Sequence, residues 1–304
     1  MKKRYIALYS ILGILFLAFA GIYLKTGFLQ TSKINSRDLA YWNYSEDGLI
    51  EGAREFILPG NEKTCWLLIH GYTSTPDEMK ELAFSLNKEF NETIVVPRLK
   101  GHGEVPSKIL NLSLDDWYKQ IEREYEIMNL KCENINVVGF SFGGAIGLKL
   151  AQNKEFENLY LIAPYVKARY KLIRIFTLES YVGFFADWTV YSKKVSIAQL
   201  NSPEGLEKHL AYWNMPFQPV KYSSEFFEEV LLNLDQVDES TLIQHSTEDE
   251  TADVDSAGLI LEEINSEIKK LITFEESNHV LLEDYDKMEV MDNIIKFEKE
   301  RRIE

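Results

Sequence analysis

The sequence predicts an α/β fold, a mostly parallel central sheet flanked by helices and carrying a mainly helical cap insertion. Three observations point there. From about residue 64 onward, short apolar runs alternate with amphipathic helical stretches, the trace of parallel strands joined by crossover helices. The strand-like runs are apolar without interruption, as strands covered on both faces are. Between about residues 167 and 239 the alternation stops, and aromatic, helix-like patches take over. We divide the chain accordingly into an N-terminal segment (1–30), a linker (31–40), an α/β domain (41–166 and 240–304) and the insertion (167–239).

A chain of 304 residues, with 45% hydrophobic and 27% charged residues, suits one large folded domain with an insertion. Its formal net charge of −15 repels phosphate backbones, so no nucleic acid partner is expected. Only two cysteines occur, Cys65 and Cys132, without a C-x-x-C pair, so neither a structural zinc site nor a thioredoxin-like pair has support.

The N-terminal segment reads apart from the rest. Lys2, Lys3 and Arg4 precede an uncharged run from Tyr5 to Leu24, which Lys25 closes. At about 1.5 Å per residue, about 20 apolar residues cross a bilayer. A transmembrane anchor is expected, and the basic start places the remaining chain outside the cytoplasmic membrane. The alternative is a signal peptide cut near Ala18-Phe19-Ala20, followed by secretion. Gly21-Ile22-Tyr23-Leu24 continues the apolar run past that point and favours the anchor. No cysteine near its end could carry a lipid.

Residues 65–69, 93–96, 135–138, 159–162, 240–244 and 270–274 read as strands. Thr75-Pro76-Asp77-Glu78 reads as a capping box opening a helix whose buried stripe is Met79, Leu82, Ala83 and Leu86. Ser113 caps a second helix with Leu114, Trp117, Ile121, Tyr125 and Met128 on one face. Further helices are expected near 256–264 and over 286–300, the last burying Met288, Met291, Ile294 and Ile295, with Phe297 a further candidate.

Val137-Val138-Gly139-Phe140-Ser141-Phe142-Gly143-Gly144 is a strand, a G-x-S-x-G turn and a helix start. A nucleophile on so sharp a turn has strained backbone angles and needs neighbours without side chains. Ser141 then stands at a helix N-terminus, where free N–H groups favour developing negative charge. Serine needs a base, and the base an orienting acid. On such elbows the acid precedes the histidine in the chain. His279, in the loop after the last strand, is the expected base. Asp249, in the turn after the preceding strand, is the expected acid, with Glu248, Glu250, Asp253 and Asp255 as rivals. His209 reads as packed or solvated, His245 as packing or loop bonding, and His102 as fixing its loop rather than touching substrate.

Together these segments resemble the α/β-hydrolase superfamily, and within it bacterial carboxylesterases and monoacylglycerol lipases. His70-Gly71-Tyr72-Thr73 looks like the H-G-x-[ST] loop, Pro97 to Gly103 like P-x-x-x-G-H-G, and Asp115-Asp116-Trp117 like the D-D-W helix start. Gly139 to Gly144 matches G-x-S-x-G-G, and Asn278-His279-Val280 resembles G-H-V with asparagine in place of glycine. The acid turn departs from the common D-x-[VI]-[VI]-P. The resemblance implies an α/β-hydrolase fold and an oxyanion hole formed by the backbone N–H groups of Tyr72 and Phe142. It implies a serine hydrolase that cleaves carboxylic esters through a Ser141–His279–Asp249 triad and an acyl-enzyme, without metal or organic cofactor. The expected substrate is a small-molecule or lipid-derived ester, monoacylglycerol or a medium-chain ester, under an aromatic cap. Thioester or amide hydrolysis and acyl transfer use the same triad, and a non-catalytic binder of this fold is the rival from another class. The resemblance also makes neighbours of the strands bearing Cys65 and Cys132. A disulfide needs Cα atoms within about 7 Å, a register the sequence leaves open.

Overall fold

A computed structural model describes residues 9–18, 20, 28–167, 191–194, 196–221 and 223–303. Seven strands form the central sheet: β1 (Phe56–Leu58), β2 (Asn61–Ile69), β3 (Glu92–Val96), β4 (Asn134–Phe140), β5 (Asn158–Ile162), β8 (Ser240–Ser246) and β9 (Lys269–Phe274). Their order is β1-β3-β2-β4-β5-β8-β9. Only β1 runs antiparallel to its neighbour. Side chains alternate between two cores. Leu67, Val137 and Leu161 meet Trp117, Ile121 and Leu148 on one face, while Trp66, Val138 and Tyr160 meet Met79, Leu86 and Ile294 on the other. Burial on both faces is why these strands read as unbroken apolar runs.

Parallel strands end at one edge, and that is how the fold builds its site. The loops after β2, β4, β8 and β9 carry Tyr72, Ser141, Asp249 and His279 to the same rim. Ligand sites of open α/β sheets lie beyond the carboxyl ends of the strands for this reason.

Several elements depart from the sequence reading. The expected linker at 31–40 lies within a helix, Phe28–Tyr41, which Asn35 ties to Ser107 and Asp38 ties to Trp213 and Asn214. The capping box at Thr75 is not made. Pro76–Met79 is a 3-10 turn without a side-chain cap, leading into the helix Lys80–Phe90. The Ser113 cap does form: its hydroxyl accepts from the Asp116 N–H, and Asp116 returns a bond to the Ser113 N–H. In the last helix, Lys287–Arg301, Met288 is exposed while Val290, Met291, Ile294 and Phe297 are buried. The described part of the insertion is not only helical. Tyr191–Lys193 (β6) pairs antiparallel with Asn214–Pro216 (β7), alongside helices Pro203–Lys208 and Ser223–Leu232. Its aromatics Tyr170, Phe176, Tyr181, Phe184, Phe185 and Trp188 lie outside the described residues.

Among the described residues no helix is long and apolar enough to cross a membrane. The run from Tyr5 to Leu24 falls partly outside them; residues 9–18 within it are helical, and Ile11, Ile14, Phe16 and Leu17 there are exposed.

Cys65 and Cys132 form a disulfide, with Cα atoms 5.9 Å apart. Cys65 stands opposite Ile135 in the β2–β4 ladder, which brings it beside the residues entering β4. The bond spans a sequence separation of 67 and so restricts the unfolded chain. Replacing both cysteines by serine is expected to lower stability by about 2–4 kcal/mol, read as a lower denaturant midpoint at unchanged slope.

Candidate active site

Ser141 caps the helix Phe142–Ala151 with φ 54° and ψ −117°, outside the usual conformations of residues with a side chain. The turn is held because its glycines admit no Cβ. One at Gly139 would lie 2.4 Å from the Gly143 carbonyl oxygen, and one at Gly143 would lie 2.2 Å from that of Ile69. The Ser141 N–H donates to Ile162 O at 3.0 Å, which ties the elbow to β5.

The three residues singled out in the sequence meet. His279 Nε2 lies 2.9 Å from Ser141 Oγ, and His279 Nδ1 lies 2.7 Å from Asp249 Oδ2. Asp249 is 1% exposed. Its Oδ1 accepts the Thr251 and Ala252 N–H groups at 2.7 and 2.8 Å, so the turn positions the carboxylate without the usual motif. Burial pushes this carboxyl up. The facing His279, together with His245, outweighs burial and holds it well below the ordinary range.

Two supports were not anticipated. His245, fully buried, places Nε2 3.1 Å from Asp249 Oδ2, so the carboxylate has an imidazole on two sides. Asn278 is not in a left-handed conformation. Instead its Oδ1 accepts the N–H groups of His279 and Glu250 at 2.8 and 3.1 Å, pinning the histidine loop to the acid turn. Among the sequence's polar residues, only geometry distinguishes these two.

Across Ser141 lies the His70-Gly71-Tyr72-Thr73 loop. A Cβ on Gly71 would stand 3.3 Å from the Ser141 Cβ, which is how close the loop comes. The Tyr72 ring stacks on Phe142 with centroids 5.0 Å apart. Phe142 opens its helix, so its N–H has no intrahelical acceptor. Burial pushes His70 down to about 4, so the ring is neutral; Nε2 accepts the Leu99 N–H at 3.0 Å while Nδ1 faces Gly71 O at 2.9 Å. His102 is buried against the rings of His70, Tyr72 and Trp117.

Glu78 departs most from its expected role. Rather than capping a helix, its Oε1 accepts the Gly71 N–H. Burial pushes the carboxyl up to about 7, against the lowering influence of His209, the Gly71 N–H and Ser74. Between the ordinary 4.5 and about 7, the folded protein keeps a proton that the unfolded chain has lost. Stability from this group is therefore complete below 4.5 and declines as pH rises through that window. Glu78→Gln is expected to gain about 3 kcal/mol relative to the wild type between pH 4.5 and pH 8, measured by denaturant unfolding at both.

A cavity of about 350 Å³ opens over Ser141 and His279. Phe142, Tyr165, Met215, Phe217 and Val220 give it an apolar wall; Thr73, Ser74, Glu78, Lys194 and His209 give it a polar one. His209, which the sequence left as packed or solvated, faces Glu283 at 2.5 Å and also borders the cavity. Among the described residues no group of three or more potential metal ligands occurs.

A serine elbow, a facing histidine loop and a parallel sheet define an α/β-hydrolase. Residues 60–286 match the family described as serine aminopeptidase, S33, and the chain belongs to it. It is an enzyme of the esterase and lipase type within that superfamily. It is 25% identical over 248 residues to a carboxylesterase of Bacillus subtilis (strain 168), covering 80% of this chain and 95% of that protein. It is 28% identical over 249 residues to a thermostable monoacylglycerol lipase of Bacillus sp. (strain H-257), covering 82% and 95%. A solved structure described for the metagenome-derived lipolytic enzymes LipS and LipT superposes with a TM-score of 0.75 at 24% identity, covering 83% of this chain and 99% of that one. That last likeness speaks to the fold alone.

Proposed function

We propose that the protein hydrolyses carboxylic esters by acyl transfer through Ser141, His279 and Asp249. The observation that carries this is the unbroken relay from Ser141 Oγ to His279 Nε2 at 2.9 Å and from His279 Nδ1 to Asp249 Oδ2 at 2.7 Å. His279 takes the serine proton as Oγ attacks the ester carbonyl. The N–H groups of Tyr72 and Phe142 stabilise the oxyanion; one such donor is typically worth about 2.7–4 kcal/mol. The C–O bond to the alcohol then breaks as His279 returns the proton to the leaving oxygen. Water, deprotonated by the same imidazole, attacks the acyl-enzyme and releases the acid. Asp249 stays ionised throughout and stabilises the imidazolium. The apolar wall formed by Phe142, Tyr165 and Phe217 suits an acyl chain.

The test combines labelling by a fluorophosphonate probe with rates on p-nitrophenyl esters of rising chain length and on aminoacyl p-nitroanilides. Fast esters with Ser141-dependent labelling support the reading. Faster anilides would move it to amide hydrolysis, the activity in the family's description, and folded protein that fails to label would mark a binder.

The site of action proposed is outside the cytoplasm, with the N-terminal segment as a membrane anchor. The Cys65–Cys132 disulfide supports an oxidising compartment, and the exposed apolar side chains of residues 9–18 support the anchor. Activity that stays with membranes after alkaline extraction is the expected outcome; release of a shortened chain would favour signal cleavage.

A further inference from the structure

Thr73, in the loop that faces Ser141, has φ 67°, a left-handed conformation that a β-branched residue rarely adopts. Such a conformation persists only where the surroundings impose it. Here one stretch of the insertion does so. Thr73 O accepts the Tyr212 N–H at 3.0 Å, and the Tyr72 hydroxyl donates to Pro216 O at 2.5 Å. Thr73 Oγ1 accepts from the half-buried Lys194 ammonium at 2.6 Å. Residues 211–216 thus form a strap along the loop, and the Lys194 N–H joins it by donating to Trp213 O at 3.1 Å.

The other side of the strap rests on the helix Phe28–Tyr41, which precedes residues 60–286, the part that belongs to the family. Asp38 of that helix is fully buried. Its Oδ1 accepts the Trp213 N–H and its Oδ2 accepts from Asn214 Nδ2, both at 3.2 Å. Just past the helix, Trp42 Nε1 donates to Ala211 O at 3.0 Å, and the Tyr41 ring meets that of Trp213 edge-on. Successive N–H groups of the strap therefore serve opposite sides: Tyr212 bonds the loop and Trp213 bonds the helix. A buried carboxylate must be met by donors, so Asp38 fixes where residues 213 and 214 can lie.

We propose, on the reading of Ser141 as nucleophile and the Tyr72 N–H as oxyanion donor, that Asp38 and Trp42 are positioning residues for the reaction. Through the strap they hold Thr73, and with it the Tyr72 N–H, where the oxyanion forms. The N-terminal helix is then part of the catalytic apparatus and not only a tether to the segment before it. An oxyanion donor acts on charge that develops in the transition state. Loosening the strap should therefore weaken transition-state binding and leave ground-state binding alone.

The test uses the full chain and three variants. Asp38→Ala leaves the Trp213 N–H unpaired. Asp38→Asn keeps an acceptor for it, and Asn214 can turn its amide to match the new one. Trp42→Phe removes only the bond to Ala211 while keeping an aromatic ring. Fluorophosphonate labelling carried to completion counts the folded sites, and rates on p-nitrophenyl octanoate are divided by that count. Asp38→Ala is expected to lower kcat per site about tenfold, as misplacing rather than deleting one donor should, with KM changed less than about twofold. Trp42→Phe should lose about threefold, and Asp38→Asn should return to within about threefold of the wild type.

Octyl trifluoromethyl ketone reads the loop directly. Ser141 Oγ adds to its carbonyl carbon, the serine proton passes to His279, and the ketone oxygen becomes the anion that the two N–H groups hold. Its affinity should fall in step with kcat across the variants, while inhibition by 1-octanol, which forms no oxyanion, should stay unchanged. Fewer labelled sites at wild-type kcat per site would overturn the proposal and leave the helix a support of the fold. Ketone and octanol weakened alike would overturn it too, by marking a deformed cavity. Should Asp38→Ala fail to fold, Trp42→Phe decides by the same readings. Wild-type protein that never labels with fluorophosphonate would fail at the earlier step, on Ser141 itself.

Discussion

Replacing Ser141 by alanine is expected to lower kcat on p-nitrophenyl esters by about 10⁶-fold and to abolish fluorophosphonate labelling. The size follows from how the site is arranged. In the mechanism proposed, every covalent step passes through one oxygen, which lies 2.9 Å from the imidazole that serves as its base. Removing it also idles His279 and Asp249, so the loss equals that of the whole relay rather than a third of it. A residual rate about 10³–10⁴ above that in water should persist, because the Tyr72 and Phe142 N–H groups and the cavity remain. The fold should survive. Serine and alanine both carry a Cβ, so the φ of 54° at this position strains them equally, and the glycines that make room for the turn are untouched. An unchanged thermal midpoint alongside the lost activity would separate chemistry from collapse. A loss of only about tenfold would mean that water, not Ser141, attacks the ester.

Much of this arrangement could be read along the chain because each part is specified locally. The strands that carry the site are short and apolar on both faces, and Gly139 and Gly143 flank a serine between a strand and a helix. Asp249 could be named despite its irregular motif because its place after β8 matters more than its neighbours. What escaped depends on partners far away in sequence. Thr75-Pro76-Asp77-Glu78 has the local form of a helix cap, yet the Gly71 N–H, brought near by β2, captures the Glu78 carboxylate. His245 reads as an inward strand residue, and so it is, but the residue it meets is Asp249. Lys194 sits in the insertion, where no periodic pattern assigned it a partner; it directly follows β6, its N–H donates to Trp213 O, and its ammonium reaches Thr73 Oγ1. The Cys65–Cys132 bond hung on register, which only the β2–β4 ladder supplies.

Asp249→Asn is expected to lower kcat by about 10⁴-fold with little change in KM, and the surrounding hydrogen bonds dictate why. Oδ1 is engaged by the Thr251 and Ala252 N–H groups. An asparagine retains those bonds only by placing its carbonyl oxygen there, which turns its amide nitrogen toward His279 and His245. The nitrogen is a donor and cannot accept. His279 Nδ1 must then become the acceptor, which moves the ring proton to Nε2, 2.9 Å from Ser141 Oγ. A nitrogen that already bears a proton cannot take another from serine, so the base is lost while every atom stays close to its place. The charge that supports the imidazolium disappears as well. Because substrate contacts lie elsewhere in the cavity, binding should hold while turnover and fluorophosphonate labelling slow together. A fall of less than about tenfold would assign the acid's role to another carboxylate on the same turn. Glu250 is the first to examine, since its N–H is tied to Asn278 beside the histidine.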